Sequence, residues 1–150
     1  MLCLKIRINT GMIMPKFSQE SFKKLSMCHI DLQVLFYEVI KYYDCKILES
    51  YRDAADQEKD FAAGKTKLHY PYSKHNHMPA LAVDVAPYPI DFKDEKRNIW
   101  FGGYVCGLAQ ILKESGKMTH AIRWGGAWEG LGKLEAGKSL EDSDHFELLT

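Results

Sequence analysis

Four strand-like segments lie between helix-like segments of this chain, and the two kinds do not alternate regularly. The strand-like segments are rich in β-branched and other apolar residues, and they cover residues 46–52, 81–86, 121–124 and 145–149. A parallel sheet needs a regular succession of strand, crossover helix and strand. Because that succession is missing, the sequence predicts an α+β fold in which a small antiparallel sheet packs against helices.

The helix-like segments are marked by apolar periodicity and by capping residues. They cover residues 18–24, 31–43, 53–63 and 98–115. Apolar residues recur at helical spacing in the second segment, and Asp31 is its expected N-cap. Ser18 is the expected N-cap of the first segment. Gly64 and Gly116 are expected to end the third and fourth helices.

Composition and charge exclude several classes of protein. The 150 residues, 46% apolar and 27% charged, are typical of one globular domain. Twenty basic residues balance twenty acidic ones, so the basic excess of a nucleic-acid-binding protein is missing. No apolar stretch reaches the roughly 18 residues that a membrane-spanning helix needs. We therefore expect neither nucleic acid as a partner nor membrane insertion.

The N-terminal residues and the cysteines bear on domain organisation and compartment. Residues 1–13 differ in character from the rest and lack the features of a signal peptide. The sequence predicts that they form a loose extension before a single domain of residues 14–150.

Cys3, Cys28, Cys45 and Cys106 are widely spaced, which favours reduced thiols over a disulfide framework or a zinc knuckle.

Polar side chains on two of the predicted strands form a candidate site. Alternate residues of a strand share a face. Asp84 has alanine neighbours on its face, which leave open space around the carboxylate. In the last strand His145 and Glu147 share one face, while their apolar neighbours point to the core. Two further histidines, His75 and His77, precede the strand of Asp84.

Two imidazoles and a carboxylate are a common zinc ligand set, with a fourth position open for water. Bound zinc lowers the pKa of that water to about 7. A peptidase also needs a carboxylate that takes a proton from the water and passes it to the leaving amine. Asp142 lies three residues before His145, in the turn that leads into the last predicted strand, and is placed for that role. Glu147 has two possible roles: it could orient a ligand imidazole by a hydrogen bond, or it could be the catalytic acid in place of Asp142. On spacing alone, Asp84 could instead be a paired structural carboxylate.

A series of short motifs is spread over almost the whole chain. In chain order they are Ser50-Tyr51-Arg52, Gln57, Gly64-Lys65-Thr66, Ser73-Lys74-His75-Asn76, Pro79, Ala82-Val83-Asp84, Pro87-Tyr88-Pro89, Trp124-Gly125-Gly126-Ala127-Trp128 and Asp142-Ser143-Asp144-His145-Phe146-Glu147-Leu148. Together they resemble the VanY-type D,D-carboxypeptidase and L-alanyl-D-glutamate endopeptidase family, of which phage endolysins are a large branch. The resemblance covers residues 14–148 and implies a hedgehog/DD-peptidase-like domain.

The resemblance implies a zinc ion held by His75, Asp84 and His145, with Asp142 as the catalytic acid and base. His77 stays an alternative first ligand. Six residues separate His77 from Asp84, which is the commonest family spacing, whereas eight separate His75 from Asp84. The Ser-Lys-His-Asn sequence and a longer loop resemble a phage subgroup and favour His75. If His77 is the ligand, His75 lines the groove.

The resemblance also implies residues that contact the substrate. Arg52 would stabilise the scissile carbonyl oxygen as it becomes negatively charged. The implied substrate-binding residues are Ser73, Gln57, Trp124 and Trp128. Ala127 is a departure, because the endolysin branch often has an acidic residue at that position.

Several of these residues also have a purely structural interpretation. Arg52 could simply pair with a neighbouring carboxylate, and the two tryptophans could belong to the core instead of a groove. Three other histidines have no ligand-like partner at a useful spacing, so they are expected to be surface or structural residues: His29, His69 and His120.

The function implied is that of a zinc-dependent peptidoglycan peptidase, a phage or prophage endolysin that cleaves the L-Ala–D-Glu bond of the stem peptide during host lysis. One alternative is a D-alanyl-D-alanine carboxypeptidase with the same machinery. Another is a non-catalytic, zinc-stabilised cell-wall-binding module, which the presence of Asp142 disfavours. We expect a monomer that stays in the host cytoplasm until a pore-forming holin, implied by the family alone, releases it to the cell wall.

Overall fold

The computed structural model describes residues 15–128 and 142–150. The helices of these residues are α1 (Gln19–Ser26), α2 (Ile30–Val39), α3 (Ala54–Ala62) and α4 (Glu95–Glu114), with short 3-10 helices at Lys74–Asn76 and Gly125–Ala127. The strands are β1 (Cys45–Glu49), β2 (Ala82–Pro87), β3 (Ile122–Trp124) and β4 (His145–Leu148). The predicted N-terminal extension, residues 1–13, lies outside the described residues, so that boundary stays a prediction.

The four strands form one antiparallel sheet in the order β1-β2-β4-β3. Asp84 of β2 lies opposite His145 of β4, and Val83 lies opposite Phe146. The predicted α+β fold with a small antiparallel sheet is therefore confirmed.

Helices cover one face of the sheet and leave the other face for polar residues. Val83, Val85 and Phe146 are fully buried in the core. The ring of Phe146 packs edge-on against Phe36 of α2, at a centroid distance of 5.5 Å, and against Phe101 of α4, at 6.1 Å. Because side chains alternate along a strand, Asp84 and His145 must point away from this core.

Most helix ends follow the capping residues of the sequence. The side chain of Ser18 accepts a hydrogen bond from the backbone N–H of Ser21 at 3.1 Å, as predicted for an N-cap. Gly64 and Gly116 have φ angles of +73° and +74°, so they follow α3 and α4 in the left-handed conformation that glycine adopts easily. α4 begins at Glu95, about one turn earlier than predicted, because Asp94 is its cap.

The start of α2 contradicts the prediction. His29, not Asp31, is the N-cap, and its Nδ1 accepts a hydrogen bond from the N–H of Asp31 at 3.2 Å. Asp31 is buried and accepts hydrogen bonds from Thr119 and His120 instead. The expectation that His29 and His120 lack a ligand-like partner is therefore wrong, because the fold brings both to Asp31. α2 also ends at Val39 and not near residue 43.

Three cysteines lie within the described residues, and all three are free thiols, as expected. Burial raises the pKa of Cys28 and of Cys45 to about 12, and that of Cys106 to about 11. No helix in residues 15–128 or 142–150 combines the length and the apolar character needed to cross a membrane.

Candidate active site

His75, Asp84 and His145 come together on the polar face of the sheet. The Nε2 atom of His75 lies 3.3 Å from Oδ1 of Asp84, and the Nδ1 atom of His145 lies 3.0 Å from the same oxygen. The two nitrogens are 3.2 Å apart. One short 3-10 helix and two neighbouring strands therefore bring three potential ligand atoms to one point.

The other nitrogen of each imidazole donates a hydrogen bond to an oxygen outside the cluster. His75 Nδ1 donates to the backbone carbonyl of Ser50 at 2.6 Å, and His145 Nε2 donates to Oε2 of Glu147 at 3.2 Å. In a neutral imidazole only one nitrogen carries a proton. When both rings are neutral, the nitrogens that face Asp84 therefore carry the lone pairs, and this chemistry fits a cation such as Zn²⁺.

The charges of the cluster are strongly coupled. Burial alone would raise the pKa of Asp84, but the imidazoles of His75 and His145 hold it well below its usual range. Burial likewise disfavours the charged form of His145, yet its hydrogen bonds with Asp84 and Glu147 raise its pKa to about 9, so a cation that binds here replaces the proton that Nδ1 shares with Asp84. The carboxylate thus stays ionised and attracts positive charge to this point.

Arg123 is a residue of the site that the sequence analysis did not single out. It lies opposite Glu147 in the β3–β4 register, and its Nε donates to Oε1 of Glu147 at 3.1 Å. Glu147 is buried, so it spans Arg123 and His145 through its two oxygens. The only signal in the sequence was the strand pattern of residues 122–124, which could not reveal the cross-strand partner.

The 3-10 helix of His75 is held by a reciprocal cap. The side chain of Ser73 accepts from the N–H of His75 at 3.3 Å, and the side chain of Asn76 accepts from the N–H of Ser73 at 3.1 Å. Ser73 also lines the cleft above the cluster. His77 follows the helix as an exposed residue, and it is not part of the cluster.

Arg52 lines the same cleft and is held by polar partners. Its Nε donates to Oε1 of Glu49 at 3.0 Å, and Nη1 donates to Oε1 of Gln57 at 3.2 Å. The hydrogen bond with Glu49 raises the pKa of the guanidinium, so Arg52 is a permanent cation. Gln57 is fully buried and also donates to the carbonyl of Leu68, so it holds Arg52 in place instead of facing the cleft.

The two tryptophans have different environments. Trp124 is buried in the core, and its indole N–H donates to the carbonyl of Ser143 at 2.7 Å. Trp128 is 42% exposed and lines the cleft. Its ring lies 5.4 Å from that of His145, and the guanidinium carbon of Arg123 lies 4.7 Å from the ring centroid. Trp128 therefore offers an aromatic surface beside the cluster, whereas Trp124 does not.

Asp142 enters the site in an unusual backbone conformation. Its φ angle is +56°, its carbonyl accepts from the N–H of His145 at 3.0 Å, and it lines the cleft. A Cβ atom on Gly125 would lie 2.4 Å from the carbonyl oxygen of Asp142, so the second 3-10 helix and Asp142 approach each other closely. Asp144 lines the cleft as well, and burial followed by the charge of Asp84 raises its pKa to about 6.

The cleft has a volume of about 1390 Å³. Its lining is rich in charged residues: the basic ones, besides the two arginines, are Lys59, Lys65, Lys67 and Lys74, and the acidic ones are Glu49, Asp56, Asp60, Asp84, Asp142, Asp144 and Glu147. Charged side chains of both signs therefore surround the candidate ligand cluster.

An antiparallel α+β fold that presents two histidines and an aspartate in an open cleft has the architecture expected of a metal-dependent hydrolase. A family model described as phage L-alanyl-D-glutamate peptidase matches residues 13–149. The chain belongs to this family, and it is therefore a peptidoglycan peptidase, as the motifs of the sequence predicted.

A solved structure has a similar fold. The crystal structure of the Serratia marcescens L-Ala D-Glu endopeptidase ChiX superposes with a TM-score of 0.63, at 21% sequence identity, and the match covers 89% of each chain. At this identity the likeness concerns the fold. No curated protein is significantly similar to the sequence.

Proposed function

We propose that this peptidase is zinc-dependent and hydrolyses the L-Ala–D-Glu bond of the peptidoglycan stem peptide, with His75, Asp84 and His145 as the zinc ligands. The observation that carries the proposal is the convergence of two imidazole lone pairs and one carboxylate oxygen within 3.3 Å of one another. The family description supports the choice of bond. The exposed position of His77, outside the cluster, supports His75 as the first ligand.

Bound zinc would act as a Lewis acid and lower the pKa of water to about 7. The protein supplies the orientation of the ligands. The carbonyl of Ser50 and the carboxylate of Glu147 fix which nitrogen of each imidazole carries the proton. A cation that binds displaces the proton of His145 Nδ1, but neither ring needs to rotate, which reduces the reorganisation that binding requires.

Asp142 and Arg52 are the proposed catalytic residues. The Asp142 carboxylate takes a proton from the attacking water and returns it to the amine that leaves when the peptide bond breaks. The Arg52 guanidinium neutralises the negative charge that develops on the carbonyl oxygen. Arg52 suits this role because Glu49 and Gln57 hold it at the cleft wall before the substrate arrives.

The stem peptide is proposed to lie along the cleft between the two walls. Ser73 and the exposed ring of Trp128 are the proposed contacts, and the lysines among the charged residues of the cleft are the proposed partners of the peptide's carboxylates. Gln57 and Trp124 are proposed to act indirectly, through Arg52 and through the segment of Ser143.

The biological setting is proposed from the family resemblance alone. The protein would be an endolysin that acts as a monomer and causes host lysis. It would stay in the host cytoplasm until a pore-forming partner gave it access to the wall.

The decisive experiment is the digestion of purified sacculi, with the products identified by mass spectrometry in the presence and absence of a zinc chelator. We expect chelator-sensitive release of peptides that begin with D-Glu, with L-Ala left on the glycan strand. Loss of only the terminal D-Ala would instead identify a D,D-carboxypeptidase. Intact stem peptides in the presence of folded, zinc-loaded protein would contradict catalysis and favour a binding module.

Two substitutions test the ligand assignment in the same assay. His75→Ala is expected to abolish hydrolysis and reduce bound zinc. His77→Ala, two residues away, serves as the matched control and should retain both. The opposite result would transfer the ligand role to His77.

A further inference from the structure

A second group of two histidines and one aspartate lies outside the cleft. His29 caps α2, Asp31 belongs to the first turn of that helix, and His120 lies in the segment before β3. One potential ligand atom from each residue lies within 4.8 Å of the others. None of these three described residues lines the cleft, so the group is separate from the site proposed for catalysis.

The carboxylate of this group is fixed and ionised. Oδ2 of Asp31 accepts from the backbone N–H groups of Thr119 and His120 at 3.1 and 2.8 Å, and from the hydroxyl of Thr119 at 2.8 Å. Burial opposes the charge, but hydrogen bonds from His120 and Thr119 lower the pKa of Asp31. A buried, negatively charged oxygen is thus held in one place.

The imidazoles lie at the edge of this buried charge and remain accessible. Nδ1 of His120 lies 2.7 Å from Oδ2 of Asp31. The rings of His29 and His120 stand edge to face with centroids 5.1 Å apart, and the His120 side chain is 33% exposed. For all three residues to bind one ion, the ion must replace the proton between His120 Nδ1 and Asp31 Oδ2, which leaves the His120 proton on Nε2.

The donor chemistry selects the class of cation. Imidazole nitrogens suit Zn²⁺ and similar transition metals, whereas Ca²⁺ and Mg²⁺ prefer oxygen ligands. Around a tetrahedral ion with bonds of about 2.1 Å, ligand atoms lie about 3.4 Å apart. The His120 Nδ1–Asp31 Oδ2 distance of 2.7 Å must therefore widen, and His29 must exchange the hydrogen bond between its Nδ1 and the N–H of Asp31 for the ion, which small rotations of the two half-buried rings would accomplish.

We propose that His29, Asp31 and His120 form a second site for a Zn²⁺-class transition-metal ion, which would crosslink the start of α2 to the segment before β3. Its effect would be on stability, because the cation would join two segments that are about 90 residues apart. The proposal stands independently of the catalytic assignment.

The first test counts zinc per chain by elemental mass spectrometry after equilibrium dialysis against zinc buffer. The key variant is His29→Asn, because asparagine preserves the N-cap of α2 but is a poor zinc ligand. We expect two zinc ions in the wild-type protein, one in His29→Asn and in His120→Gln, and two in the control His69→Gln. His69 is an exposed histidine that pairs with Glu58 instead.

The pattern of counts separates this proposal from the proposed function. One ion in the wild-type protein and none in His29→Asn would support the second site and contradict zinc at the catalytic cluster. Equal counts in the wild-type protein and His29→Asn would overturn the second site, leaving Asp31 as a purely hydrogen-bonded anchor.

A second measurement removes the catalytic ligands from the comparison. In a His145→Ala background, zinc is expected to raise the melting temperature by about 5 °C or more at concentrations well above the dissociation constant. The same addition to His145→Ala/His29→Asn should have no effect. An equal rise in both proteins would overturn the proposal. The wild-type counts decide the question if His145→Ala does not fold.

Discussion

At the scale of single residues, the environment of His145 explains how a small protein could hold a cation firmly. One nitrogen faces Asp84 and the other donates to Glu147, which is itself held by Arg123. The imidazole is therefore fixed on both sides. Because the acceptor is buried, solvent competes weakly for this hydrogen bond.

We predict that Glu147→Gln weakens zinc binding by about 10- to 100-fold, because the amide no longer stabilises the proton on His145 Nε2 as a carboxylate does. Competition with a chromogenic chelator measures this affinity directly. Glu114→Gln, an exposed change at the end of α4, is the matched control. An unchanged affinity in Glu147→Gln would contradict the role of Glu147 as the partner of a zinc ligand.

At Asp142, a substitution can likewise remove the charge of the side chain without changing the backbone. Asparagine tolerates a φ angle of +56° at least as well as aspartate does, so Asp142→Asn removes the charge without straining the backbone. We predict a loss of hydrolysis of about 100-fold or more, with zinc content unchanged. Hydrolysis of sacculi and elemental analysis measure the two quantities.

The neighbouring carboxylate provides the control for this experiment. Asp144 also lines the cleft, and we expect Asp144→Asn to retain most of the activity. If instead Asp144→Asn is inactive and Asp142→Asn is active, the acid–base role belongs to Asp144.

At the scale of elements, one strand register serves both the core and the site. The pairing that places Asp84 opposite His145 also places Val83 opposite Phe146 on the buried face. A shift of one residue would exchange the two faces of β4. Packing of Phe146 between α2 and α4 therefore holds the candidate ligands together.

The second 3-10 helix is predicted to control the position of Asp142. A Cβ atom at residue 125 would lie 2.8 Å from Cβ of Asp142 and 3.1 Å from Cβ of His145, so Gly125→Ala must displace that segment. We expect a large loss of hydrolysis, to be measured on sacculi, with the protein still folded by circular dichroism.

Gly103→Ala is the matched substitution, because nothing lies within 4 Å of a Cβ atom at that position of α4. It should leave activity unchanged and stabilise the protein by about 0.5–1 kcal/mol. Full activity in Gly125→Ala would contradict the idea that the close approach of these two segments positions Asp142.

At the scale of the whole molecule, the sequence could predict what depends on local pattern. Strand periodicity placed His145 and Glu147 on one face, and the structure has them in hydrogen-bond contact. Side-chain chemistry at Ser18 predicted a cap that the structure confirms.

What the sequence could not predict depends on contacts between distant segments. Asp31 has the residue type of a helix cap, but its partners Thr119 and His120 lie about 90 residues away. The burial of Gln57 beneath Arg52 is likewise a product of tertiary packing. Local propensity carries no information on either contact.

The position of β4 has a consequence for biosynthesis. This strand follows β3 in the chain, yet it lies between β2 and β3 in the sheet. On the ribosome, a nascent chain that ends before His145 has two separated strand edges and two of its three candidate ligands. Insertion of β4 then joins the edges and delivers the third candidate ligand in the same event, so an incompletely translated chain would have no complete candidate cluster.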